Sequence, residues 1–148
     1  MSKAKASPTH AGNADDTETA FYEALQSADI DKLMACWADE DDIVCVHPGG
    51  QRLIGEGAIR AAFQAIFSNG SIQANADKVY RLESIATSVH SVLERIEVLT
   101  KDGPRQACVI ATNVYQKMPQ GWRMVAHHAS PGTLQDIQQA FELPVVLH

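Results

Sequence analysis

Four polar residues, His47, Glu94, Asn113 and His128, stand in stretches that otherwise read as buried, and each has chemistry to offer. His47 closes the β-rich run Ile43-Val44-Cys45-Val46-His47, just before the turn Pro48-Gly49-Gly50. An unperturbed imidazole titrates near ~6.5, so at a pocket mouth His47 could act as a general base at neutral pH. The structural alternative is a strand-end histidine bonded to a neighbouring loop. Glu94 lies in an alternating apolar stretch. There it is either a pocket carboxylate of raised pKa, able to pair with His47 or His128, or half of an ion pair with Arg60 or Arg81. Asn113 offers an amide that either orients a ligand or satisfies His128 or the backbone.

Metal and nucleophile chemistries receive less support. His127 and His128 are adjacent on a strand and point to opposite faces, so they cannot both bind one ion. His47, Glu94 and His128 could form an open facial triad, but no ligand spacing supports one; no metal and no cofactor is expected. Cys45 alternates with His47, yet a Cys–His nucleophile pair lacks a third group to orient it. Gly49-Gly50 is most simply a turn, not a phosphate loop.

The elements that position these residues follow from periodicity. Asp15 reads as a helix cap, with Glu18 in the capping-box position. Ala20, Phe21, Ala24, Leu25 and Ala28 then share one helical face. Asp29 starts a second short helix with Ile30, Leu33, Met34 and Trp37 on its apolar side. After the acidic turn Asp39-Glu40-Asp41-Asp42 and the His47 strand, a third helix aligns Ala58, Ile59, Ala62, Phe63, Ile66 and Phe67, and Asn69-Gly70 stops it.

Beyond Gly70 the period changes from 3.6 to 2. Strands are expected over 72–86, with a bulge near Asp77, and over 89–99, 105–117 and 122–130. Turns at Asp102-Gly103 and Pro119-Gln120-Gly121 make them an antiparallel meander. Pairing Thr100 with Arg105 and Lys117 with Trp122 puts Val92, Glu94, Ile96, Asn113, Met124 and His128 on the helix side. Leu93, Arg95 and Glu97 then face outward. Residues 1–14 read as a disordered lead-in and 132–148 as an extension, where Leu143-Pro144-Val145-Val146-Leu147 could cover an edge or a partner.

Composition narrows the function classes. The 148 residues suit one domain, 45% apolar and 20% charged. A net charge of −6 with scattered basic residues argues against a nucleic-acid partner. No apolar run approaches the roughly 20 residues that span a bilayer, and no secretory signal opens the chain. Cys36, Cys45 and Cys108 sit singly among apolar neighbours, as free thiols of a reducing, cytoplasmic compartment would.

The order of a helix, a short helix ending WADEDD, the strand IVCVHPGG, the helix GEGAIRAAFQAIF and a meander ending GWRMVAHHAS resembles the NTF2-like superfamily. Within it the chain is most similar to SnoaL-like proteins, relatives of ketosteroid isomerases and kinase association domains. The resemblance covers about 15–131. It implies an α+β, cone-shaped fold with three N-terminal helices on a curved antiparallel sheet. It further implies a homodimer, with an apolar pocket between helices and sheet for a small, largely apolar molecule.

Matched position by position, the isomerases' catalytic aspartate falls at His47 and their first-helix tyrosine at Phe21. Their further pocket tyrosines fall at Trp37 and Phe63, and their hydrogen-bonding acid at or next to Asn113. Phenylalanine cannot donate to an enolate, so the usual steroid isomerisation is not expected. The resemblance thus implies a pocket of Phe21, Trp37, His47, Ile59, Phe63, Glu94, Asn113 and His128. It leaves three functions open: ligand binding alone, a lyase or isomerase with His47 as general base and Glu94, Asn113 or His128 as polar partners, or an association module.

Overall fold

Asn13, not Asp15, opens the first helix: its side chain accepts from the Asp16 backbone N–H at 2.9 Å. In this computed structural model, which describes residues 12–140, helix α1 runs Ala14–Ser27. Shifting the cap two residues upstream leaves Glu18 free to turn inward, where it is buried. The helix stops at Ala28, whose left-handed φ of 53° breaks the repeat. Asp29 caps α2 (Ile30–Ala35) as expected, accepting from Lys32 N–H.

Strand β1 (Val44–Val46) then turns through Pro48-Gly49-Gly50 into β2 (Arg52–Ile54). Gly49 takes φ 71°, a conformation that favours glycine. Helix α3 (Glu56–Phe67) follows this hairpin. Only two helices therefore precede the sheet rather than three, because the chain pairs back on β1 before the third helix starts.

The meander comprises β3 (Gln73–Glu83), β4 (Thr87–Thr100), β5 (Gly103–Met118) and β6 (Gly121–Pro131). The sheet order is β2-β1-β6-β5-β4-β3. It is a curved, unclosed sheet whose meander is antiparallel. One pair departs from the expectation: β1 runs parallel to β6, with Cys45 opposite His127.

Two irregularities decide which side chains face the helices. At the β4–β5 turn Thr100 pairs with Gly103 rather than Arg105. That slip is an even number of residues, so Glu94 and Asn113 keep their predicted face. At β5–β6, Lys117 does pair with Trp122, but a bulge separates Tyr115↔Met124 from Val114↔Ala126. The extra residue, Val125, reverses the alternation beyond it. His127 consequently points inward and is buried, whereas His128 is exposed. The bulge expected near Asp77 in β3 is present.

Helices α1, α2 and α3 bury Phe21, Leu25, Leu33, Ile59 and Phe63 against Val92, Ala111, Tyr115, Met124 and Ala129 of the sheet; Trp37, expected on the second helix, lies past its end and bridges to Met124. Removing such side chains from water is the main force holding the layers together. On the opposite sheet face α4 (Leu134–Ala140) lays Ile137 over Leu93, Cys108 and Ile110. Leu93 faces outward as expected but is covered. The Leu143–Leu147 segment lies outside the described residues.

Candidate functional site

Between α1, α3 and the inner sheet face lies a cavity of about 80 Å³, lined by Phe21, Leu25, His47, Pro48, Phe63, Ile72, Ala74, Glu94, Ile96, His127 and Ala129. The wall is apolar apart from His47, Glu94 and His127. For scale, an engineered dry cavity of about 150 Å³ holds benzene. This one suits a molecule of only a few heavy atoms unless its wall moves.

His47 reaches the cavity because β1 ends there and the proline turn carries the chain away. Its ring packs edge-on against Phe63, with centroids 4.8 Å apart. Burial lowers its pKa, so the imidazole is neutral and able to accept a proton at neutral pH. Cys45 Sγ lies 3.9 Å from His47 Nε2, but burial, then the Glu94 charge, pushes the thiol up to about 12. A group so far from its thiolate is no nucleophile, which removes the Cys–His pair.

Glu94 enters from β4, buried. Its pKa is raised to about 7: burial dominates, the Tyr22 hydrogen bond pulls the other way and the Glu18 charge adds to the rise. Tyr22 Oη donates to Glu94 Oε2 at 2.6 Å. Neither arginine proposed for it is its partner, since Arg60 pairs with Asp31 and Arg81 with Asp15. A carboxyl that changes charge near neutrality, lining the same cavity as a neutral imidazole, is suited to proton transfer.

Behind the cavity runs a buried polar network that periodicity alone did not show. Asn113 Nδ2 donates to Tyr22 Oη (3.1 Å) and to Glu18 Oε2 (3.2 Å). Glu18 Oε2 also accepts from Tyr115 Oη at 2.7 Å and lies 3.0 Å from His90 Nδ1. His90 Nε2 is 2.9 Å from Ser88 Oγ. His127 Nδ1 meets Asn113 Oδ1 at 2.5 Å. Burial lowers the His127 pKa to about 3, with the nearby His47 and His128 adding to the effect, so its ring stays neutral.

The predicted residues thus separate into groups. Phe21, His47, Phe63 and Glu94 come together around the cavity. Asn113 sits one layer behind it, and Trp37 and Ile59 are buried core outside its lining, with Trp37 Nε1 lacking a partner among the described residues. His128 is on the outer face, displaced by the β6 bulge, and His127 takes its place. The sequence reading missed Tyr22, Tyr115, Glu18, His90 and His127. Glu18 and Tyr22, four apart beside the apolar stripe of α1, are the one signal that could have revealed the network.

A wider open groove of about 460 Å³ lies between α1 and β3, lined in part by Asp15, Glu18, Tyr22, Glu23 and Arg81. Asp15, Glu18 and His90 place potential ligand atoms within 4.8 Å of one another. Their groups are already engaged: Arg81 Nε donates to Asp15 at 2.8 Å, and Glu18 and His90 bond as above. The cluster is a satisfied hydrogen-bond knot.

Helices over one face of a curved, open sheet, with a small cavity between, define the NTF2-like class. The sequence model of the SnoaL-like domain matches residues 15–133, and the chain belongs to that family. Among solved structures it is similar to a "Putative calcium/calmodulin-dependent protein kinase type II association domain" from Thiobacillus denitrificans. That match has 32% identity and a TM-score of 0.77, covering 86% of this chain and 100% of the other. It is also similar to a "putative dehydratase from the NTF2-like family" of Streptomyces avermitilis, at 29% identity and a TM-score of 0.72, covering 81% and 94% of the two chains. An NTF2-like protein of unknown function from Pseudomonas putida shares the fold at 18% identity and a TM-score of 0.70, covering 86% and 89%. Comparison with curated protein sequences gave no match.

Proposed function

We propose that the cavity is an acid–base site of a lyase or isomerase acting on a small, largely apolar molecule. The observation that carries this reading is Glu94, a buried carboxyl raised to about 7 in the same apolar cavity as His47. In an elimination, His47 takes the proton from carbon while protonated Glu94 delivers its own to the departing hydroxyl. Water leaves and a double bond forms. In an isomerisation the same pair removes a proton at one carbon and restores one at another. The name of the Streptomyces relative is in keeping with the first of these.

The test is turnover of the smallest β-hydroxy ketones and β,γ-unsaturated ketones, of about four to five carbons, which enter this cavity only as its wall gives. Where the wild type converts a compound, His47→Ala and Glu94→Gln each lower the rate by about 10²–10⁴. Unchanged turnover in His47→Ala removes the proposal.

A second reading has its own support. The Thiobacillus relative is named an association domain. On this reading the chain assembles into a homodimer, and the cavity is subsidiary.

A further inference from the structure

We propose that His127 is a fixed hydrogen-bond acceptor in the cavity wall, selecting small ligands that carry a hydroxyl or N–H donor. Glu18 fixes the orientation of the Asn113 amide. Its Oε2 already accepts from Tyr115 Oη at 2.7 Å, and the Asn113 amide approaches the same oxygen at 3.2 Å. An amide oxygen placed there would confront another acceptor, so the nitrogen of Asn113 must face Glu18, with Tyr22 Oη as its second partner. That fixes Asn113 Oδ1 toward His127.

The 2.5 Å contact then joins Oδ1 to Nδ1 of the imidazole. An oxygen with only lone pairs needs a donor, so Nδ1 carries the hydrogen. Burial keeps the ring from taking a second proton in the neutral range. Nε2 is therefore a bare lone pair, and it has no partner among the described residues. His127 forms part of the cavity wall, its ring 5.3 Å from that of Phe21.

The chain from Glu18 through Asn113 to His127 thus presents an acceptor that stays unprotonated across the neutral range. A purely apolar occupant would leave Nε2 desolvated and unpaired, which is unfavourable, whereas a donor satisfies it. The inference shares with the preceding section only the premise that ligands enter this cavity; it needs no proton transfer.

Two measurements on the folded protein test it. In 15N-histidine-labelled wild type, two-bond 1H–15N correlation should show His127 protonated on Nδ1 and bare on Nε2 from about pH 5 to 8. Pyrrole and furan, ring probes alike in size, differ in the N–H donor. Pyrrole should bind about fivefold or more tightly than furan and perturb Nε2, the ratio expected of one net hydrogen bond. In His127→Phe, which keeps an aromatic wall, the ratio should fall to about one by the same reasoning. A proton on Nε2, equal binding of the two probes to wild type, or failure of pyrrole to perturb Nε2 overturns the proposal. Loss of proton-transfer activity with the pyrrole preference intact would count only against the acid–base reading.

Discussion

Glu94 concentrates the energetics of the site in one side chain. Holding a carboxyl at about 7 rather than 4.5 means that ionising it costs the folded state roughly 3 kcal/mol. The folded form binds the proton more tightly than the unfolded chain, so the stabilisation is fully present below the unfolded pKa. It is lost as pH rises through about 7. Glu94→Gln keeps an acceptor for Tyr22 but cannot ionise. Denaturant titrations at pH 5 and pH 8 should therefore show the wild type losing stability between them relative to this variant. Parallel pH curves would contradict it. His127 acts with the opposite sign: its lowered pKa gives stability above about 6.5 that is lost as pH falls toward about 3. Tyr22→Phe removes the one bond that pulls the Glu94 pKa down and leaves buried partners unpaired. We expect a loss of about 1–3 kcal/mol and a still higher Glu94 midpoint. Stability and midpoint both unchanged would show the hydroxyl to be idle.

At the scale of elements, β6 and its bulge decide what the cavity contains. Alternation in the sequence correctly places Glu94 and Asn113 inside, because the β4–β5 turn differs from expectation by an even number of residues. It misplaces His128, because a single extra residue at Val125 inverts everything beyond it and nothing in Met124-Val125-Ala126 announces a bulge. The Asn13 cap was overlooked for a similar reason: two acidic residues follow it, each a reasonable cap by type. Tyr22 escaped notice because its neighbour Phe21 carries the apolar stripe, and only the fold brings Glu94 to its hydroxyl. Helix α4 makes a separate element-level prediction. Cys36 and Cys45 lie in the main core, while Cys108 is covered from outside by this one short helix. Thiol labelling in native buffer should modify Cys108 first, and Ile137→Ala should accelerate it several-fold by loosening α4. Equal rates for all three thiols would contradict that role.

At the scale of the whole molecule, the proposed acid–base cavity lies in a chain that is also similar to a structure named an association domain. The two readings make different demands on different surfaces. Phe63→Ala opens the cavity wall and should cost about 3–5 kcal/mol of stability. On the association reading, sedimentation equilibrium at micromolar concentration gives a dimer or larger species, and His47→Ala leaves that mass unchanged. A monomer throughout would remove the association reading while leaving the cavity chemistry standing. Among the described residues no helix is long and apolar enough to cross a membrane.

The central claim is that this cavity holds an exchangeable proton at neutral pH. The most direct measurement is a carboxyl 13C titration of glutamate-labelled protein, with the Glu94 signal assigned by its absence in Glu94→Gln. The account predicts a midpoint at about 7, moving higher in Tyr22→Phe. A midpoint at the ordinary glutamate value near ~4.3 would leave Glu94 ionised at neutral pH and remove the acid from the proposed pair.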